Sequence, residues 1–179
     1  MKPLLQAMKE RRLYLDGGMG SMLQAAGLPE GLLPDVWGME NPQAVQGVHR
    51  AYLEAGCRLI TTNTFGTSAP KLAPYGVTAA VANVRAAMDQ AGVTDGYVCA
   101  DIGPSGKLLR PYGDLDFEAA VGLFAETVRA AAQAGADCIL IETMSDLYEM
   151  KAAVLAAKEN CDLPILASLI FDETGKLLT

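Results

Sequence analysis

Short apolar runs that finish in a polar, glycine-rich tip recur along the chain. The clearest are Leu13-Tyr14-Leu15 ending in Asp16-Gly17-Gly18, and Ile60-Thr61-Thr62 ending in Asn63-Thr64-Phe65-Gly66. Val98-Cys99-Ala100 ends in Asp101-Ile102-Gly103-Pro104, and Leu140-Ile141 ends in Glu142-Thr143. Between them lie longer, alanine-rich stretches with apolar residues at helical spacing, such as Val45, Val48, Tyr52 and Leu53. These stretches close on Ala55-Gly56, Ala91-Gly92 and Ala134-Gly135, and glycine just past a helix is the usual left-handed cap. Asn41-Pro42 opens one of them, a cap residue followed by proline at the first helical position. The pattern predicts strands near 13–16, 58–63, 97–101, 137–142 and 164–170. It predicts helices near 19–26, 42–55, 77–91, 116–134 and 146–160.

Strands that alternate with helices and are themselves buried form a parallel sheet. Parallel strands point their carboxyl ends the same way, so the polar tips converge on one face, as in a (β/α) barrel active site. A closed barrel takes eight strands and roughly 250 residues. This chain has 179 residues and shows about five such units. The expected fold class is therefore α/β, of (β/α)8 TIM-barrel type and represented by about the first five β/α units. A smaller open α/β sheet is the other option. No linker or domain boundary interrupts the pattern.

The composition narrows the partners. Half the residues (51%) are hydrophobic and 20% are charged, with a formal net charge of -7. An acidic chain argues against nucleic acid and acidic membranes, which require a basic footprint. No apolar run approaches the roughly 20 residues that span a bilayer. The N-terminal stretch is short, amphipathic and charged, without the apolar block of a signal peptide. A cytoplasmic address is the expectation. The four cysteines, Cys57, Cys99, Cys138 and Cys161, form no C-x-x-C pair and read as small buried thiols.

Four stretches carry candidate chemistry. In Asp16-Gly17-Gly18, a carboxylate can accept from a ligand ammonium, while glycines let backbone N–H groups approach a ligand carboxylate. A tight turn with a helix-capping Asp explains the same residues. Glu142 ends a run expected to be buried, where a carboxylate is costly unless paired or used. Ser145 or Asp146 caps the helix that follows. The amides of Asp101-Ile102-Gly103-Pro104-Ser105-Gly106 either hold an anion such as phosphate or order a loop. Asn63 and Thr64 orient a ligand or satisfy the loop backbone. His49, the single histidine, reads as a packed or surface helix residue. Trp37, placed in a loop before Asn41-Pro42, packs or covers the site.

These motifs, with the stretch from Asn41-Pro42 through His49-Arg50 to Glu54-Ala55-Gly56, occur in the order and spacing of a known family. The chain resembles the homocysteine S-methyltransferases, and among them the homocysteine-binding domain at the N-terminus of cobalamin-dependent methionine synthases. The resemblance implies that residues 1–179 are the N-terminal portion of a homocysteine-binding (β/α)8 barrel. In that family zinc, held by three cysteines at later strand ends, binds the homocysteine sulfur as a thiolate. The thiolate attacks an activated methyl group, carried in methionine synthase by cobalamin. Zinc lowers the thiol pKa, so the nucleophile exists at neutral pH.

Carried over by motif, Asp16 is the partner of the substrate amino group, the amides near Gly17 and Gly18 hold its carboxylate, and Glu142 is a second anchor. Asn63, Thr64 and Asp101 complete the substrate-binding set. The four cysteines do not match the family's ligand positions, so no metal ligand and no catalytic residue is assigned. Homocysteine and a corrinoid or methyl-donor domain are the implied partners, with oligomerisation or a C-terminal half closing the barrel. Two rival readings are a non-catalytic α/β module completed by a partner chain, and a flavodoxin-like or phosphate-binding enzyme using residues 101–106.

Overall fold

The computed structural model describes residues 2–66 and 73–177. Among these the elements run α1 (Leu4–Glu10), α2 (Met19–Ala25), α3 (Pro34–Glu40), α4 (Pro42–Glu54), β1 (Leu59–Thr61) and α5 (Ala73–Gln90). They continue with β2 (Tyr97–Ile102), α6 (Phe117–Gln133), β3 (Cys138–Met144), α7 (Leu147–Asn160) and β4 (Ile165–Leu169). Gly56, Gly92 and Gly135 take positive φ (102°, 64° and 85°) and end α4, α5 and α6 as the sequence predicts.

The strands pair in chain order, β1-β2-β3-β4, all parallel. Residues 13–16 extend this order beyond β1, but as a single bridge and not the predicted strand. Leu59 N donates to Tyr14 O (3.1 Å) and Asp16 N donates to Leu59 O (3.0 Å). With a neighbour on one side only and Gly17-Gly18 directly following, the ladder has no room to lengthen. A flavodoxin-like sheet would place the first strand between the second and third, so the consecutive order sets that reading aside.

Two further expectations are corrected. Residues 34–37 are not loop but open α3, with Pro34 at its start and Asp35 in the first turn, both favourable there. The Asn41 side chain does not cap α4; its Nδ2 donates back to Trp37 O (3.0 Å). The charged N-terminal stretch forms α1. Asp146 is the residue that caps α7, its Oδ1 accepting from Tyr148 N (2.7 Å) and Glu149 N (3.2 Å).

Strand residues alternate between two faces. Ile60, Val98, Ala100, Ile102, Ile139 and Ile141 point to the helices, against Val84, Phe124, Val128 and Ala153. Leu59, Tyr97, Cys99, Cys138 and Leu140 point the other way and close on Leu4 and Ala7 of α1. That second face continues upward to Thr61, Asp101 and Glu142. So α1 plugs the amino end of the strands, and the carboxyl end is left polar. The sheet's margins are exposed: Tyr14 is 62% accessible at one, Ile170 and Phe171 49% and 57% at the other.

Phe124 is fully buried between α6 and the sheet. Phe124→Ala should cost about 3–5 kcal/mol, the usual range for a large ring lost from a core. Urea unfolding followed by circular dichroism measures it; a loss below about 1 kcal/mol would mean this packing is not what holds the helices.

Candidate active site

A cavity of about 550 Å³ opens at the carboxyl ends of the strands. Asp16, Gly17, Gly18, Met19 and Gly20 line it from one side, Leu33, Pro34 and Asp35 from α3 and its approach, and Thr61, Asn63, Phe65 and Gly66 from the β1 tip. Asp101, Glu142 and Thr143 complete it from β2 and β3. Among the described residues no Lys, Arg or His lines it.

Asp16 is held by the strand beside it: its Oδ2 accepts from Thr61 N (3.0 Å) and Thr61 Oγ1 (3.1 Å). Its Oδ1 is buried without a partner. Gly17 lets Tyr52 come close: a Cβ there would sit 3.0 Å from the Tyr52 hydroxyl oxygen and push that ring back by a few tenths of an ångström. That hydroxyl donates to Gly18 O (3.4 Å) and pins the turn from α4.

Thr143 has φ 61°, a strained conformation for a β-branched residue. The β3–β4 register slips between Ile141 and Met144, and Thr143 N donates to Ser168 Oγ (3.1 Å) instead of a ladder carbonyl. Such a bulge re-aims side chains at a strand end. Here Glu142 and Thr143 both reach the cavity.

Burial dominates the electrostatics. It pushes the Asp16 carboxyl up to about 7, against its bonds from Thr61, with Glu142 adding a smaller push. Burial pushes Asp101 up to about 9, helped by Glu142, Asp16 and Asp35. Asp35, on α3, is raised by burial to about 6 although the Gly66 amide opposes this. Glu142, half-buried, is also raised by burial. Four carboxyl groups therefore share one cavity, as a receptor for positive charge whose acids are reluctant to ionise.

Of the residues picked from sequence, Asp16, Gly17, Gly18, Asn63, Asp101 and Glu142 line the cavity. The Asn63 amide is engaged, donating to Pro34 O (2.8 Å). Thr64 does not line it; it is buried, its hydroxyl donating to Asp101 O (2.7 Å). The loop after Asp101 is an ordered turn and not an anion cradle: Ser105 N and its hydroxyl both donate to the buried Glu149 carboxylate. Asp35 lines the cavity from α3, where the sequence pattern predicts a loop; the signal that marks it is the Pro34-Asp35 helix start. Thr143's conformation has no sequence signal. Trp37 packs against Leu23, Leu28, Val45 and Val48. His49 is fully buried with neither ring nitrogen paired.

A family profile described as Homocysteine S-methyltransferase matches residues 13–179. The chain belongs to the homocysteine S-methyltransferase family. The methionine synthase of Mycobacterium tuberculosis is 31% identical over 199 residues, and that of Mycobacterium leprae 29%. Each match covers 98% of this chain and 16% of the relative, so the chain spans about a sixth of their length. Among solved structures, the homocysteine methyltransferase MmuM of Escherichia coli superimposes in its metallated form with a TM-score of 0.80 at 20% identity. That match covers 98% of this chain and 69% of MmuM. The oxidised form gives 0.80 at 23% identity. At such identity these structures speak for the barrel-type fold.

The zinc implied for homocysteine S-methyltransferases does not fit the cysteines present. Cys99 and Cys138 are register partners buried low on the inner face, among Leu59, Tyr97 and Leu140. The hydrogen-bonded Cys138 thiol, together with burial, pushes Cys99 far from ionising. Cys57 donates to Leu15 O (3.5 Å). Asn160-Cys161 closes α7, where the thiol donates to Ala157 O (3.4 Å). Among the described residues no three His, Cys, Asp or Glu side chains converge as a metal site. No helix among them is long and apolar enough to cross a membrane.

The buried acids set the pH dependence of folding. Carboxyls raised in the folded state stabilise it below their unfolded pKa and lose that contribution as pH rises through the folded value. For Asp35, Asp16 and Asp101 the loss runs from the ordinary range near 4 up to about 6, 7 and 9. His49, lowered by burial to about 4, acts oppositely: it destabilises the fold as pH falls below the ordinary value near 6.5. Three acids outweigh one imidazole, so stability should fall from about pH 5 to about pH 9. Asp101→Asn should flatten the upper part of that fall. Thermal melts across this range measure it, and stability that rises towards alkaline pH would contradict the assignment.

Proposed function

We propose that residues 1–179 are the N-terminal portion of a homocysteine-binding barrel and hold the amino-acid end of homocysteine for methyl transfer. The observation that carries this reading is the pairing, in one cavity, of Asp16 and the acids at the tips of β2 and β3 with the Gly17-Gly18 turn. A zwitterionic α-amino acid presents ammonium and carboxylate a few ångströms apart. The acids suit the first and backbone amides the second, whereas a phosphate ester would meet repulsion from Asp16 and Glu142. Asp16 and Glu142 take the ammonium. The turn at Gly17 and Gly18 takes the carboxylate. Asn63 shapes the wall, and Thr64 acts from behind Asp101.

This chain's part is binding and orientation. Zinc, in this reading, would draw its ligands from outside the described residues and would supply the acidity that makes the homocysteine thiol a thiolate. Cobalamin, on a corrinoid domain, would be the methyl carrier in this reading. A cytoplasmic setting suits unpaired thiols. The exposed margins at Tyr14 and at Ile170-Phe171 suit coverage by further barrel units or another copy, since uncovered edge strands tend to pair.

Asp16→Asn and Glu142→Gln should each weaken L-homocysteine binding by about ten- to a hundredfold, the loss expected for one charge-assisted hydrogen bond. Calorimetric titration measures it; unchanged affinity in both variants would sink the amino-acid reading. The chain by itself should also self-associate through its margins. Sedimentation velocity over a concentration series tests this, and a strict monomer throughout would refute it.

A further inference from the structure

A closed ring of hydrogen bonds from Thr62 and Thr64, just beyond β1, grips both backbone polar groups of Asp101. Asp101 N donates to Thr62 Oγ1 (3.0 Å), Thr64 Oγ1 donates to Asp101 O (2.7 Å), and the two threonine hydroxyls lie 2.6 Å apart. The Thr64 proton goes to the carbonyl, so the Thr62 hydroxyl is the donor between the two threonines. Thr62 Oγ1 is then the acceptor for the Asp101 amide. Each hydroxyl of the ring has its donor role settled, and both threonines are buried at 1% exposure. The ring fixes the backbone, and with it the direction of the side chain.

That side chain lines the cavity, its residue only 5% exposed, with Oδ1 buried and unpartnered. The groups facing it are Asp16 from the tip of residues 13–16, Asp35 from α3 and Glu142 from β3. Four ionised carboxylates would repel the ligand's carboxylate as firmly as they attract its ammonium. At least one must keep its proton. Asp101 is the deepest of them and has the other three around it.

We propose that Asp101 works in this site as a neutral carboxyl that donates a hydrogen bond to the ligand's carboxylate, with Thr62 and Thr64 as the positioning residues that aim it. This rests on the amino-acid reading of the cavity. Burial and the three neighbouring acids hold its proton to about pH 9, so it is an acid throughout the neutral range. A neutral carboxyl is a donor as well as an acceptor, and the strongest acceptor an amino acid offers is its carboxylate. The division of labour follows: Asp16 and Glu142 receive the ammonium, and Asp101 joins the backbone amides on the carboxylate.

The test is calorimetric titration at neutral pH with L-homocysteine and with L-methionine, which has no thiol to titrate. Asparagine keeps the shape and a donor, so Asp101→Asn should hold affinity within about threefold, whereas Asp101→Ala should lose about tenfold. Thr64→Val should show the Asp101→Ala loss and Thr64→Ser should restore binding, with circular dichroism confirming that each variant is folded. Asp16→Asn, which removes a charge that the ammonium needs, should remain harmful. If Asp101→Asn were as damaging as Asp16→Asn, Asp101 would be an ionised acceptor and this assignment would fall alone. Full affinity in Asp101→Ala would also overturn it. Wild-type protein that bound neither probe would overturn the amino-acid reading and this assignment together.

Discussion

Strands that pair in chain order, each parallel to the one before, bring their carboxyl ends to one side. Side-chain alternation then divides each strand into an outer row for the helices and an inner row. The inner rows read Leu59 to Thr61, Tyr97 through Cys99 to Asp101, and Cys138 through Leu140 to Glu142. Each climbs from an apolar floor, closed by Leu4 and Ala7 of α1, to a polar tip. The apolar floor stabilises the sheet and holds the acids at the rim of a low-dielectric interior.

That placement works against the acids and is also what makes them useful. A carboxyl away from water loses solvation and gives up its charge unless a cation arrives. Among the described residues the cavity lining supplies none. The unpaired Oδ1 atoms of Asp16 and Asp101 are thus polar groups waiting for a partner. An amino acid entering such a site finds hydrogen-bonding groups already oriented, and the protein spends little further ordering to receive it.

Rigidity around these groups comes from several directions. Thr61 holds Asp16, the Thr62–Thr64 ring holds Asp101, and Tyr52 backs the Gly17-Gly18 turn. The bulge at Glu142-Thr143 carries a left-handed β-branched residue, a local strain of order 1–3 kcal/mol that the surrounding packing must outweigh. Glu149 does the same service for the loop beyond Asp101 by occupying Ser105. What looked in sequence like a loop able to hold an anion is ordered by an internal one.

The sequence by itself determined much of this protein. Apolar runs ending in Asp, Asn or Glu, and helices ending in Ala-Gly, encode the alternation, and the alternation entails a parallel sheet whose tips converge. Asp16, Gly17, Gly18 and Glu142 could be picked out because a polar group at the end of a buried run is costly and local. Other features were decided by tertiary structure because they depend on partners distant in the chain. Residues 13–16 fall short of a strand because only Leu59 is there to pair with them. Thr64 serves Asp101 from 37 residues away. Asp35 reaches the cavity because α3 packs beside the β1 tip, and Thr143 takes its strained φ because β4 slips register beneath it. The upward push on the Asp101 carboxyl is the clearest case: it follows from burial and from three other acids, which no stretch of sequence around residue 101 contains.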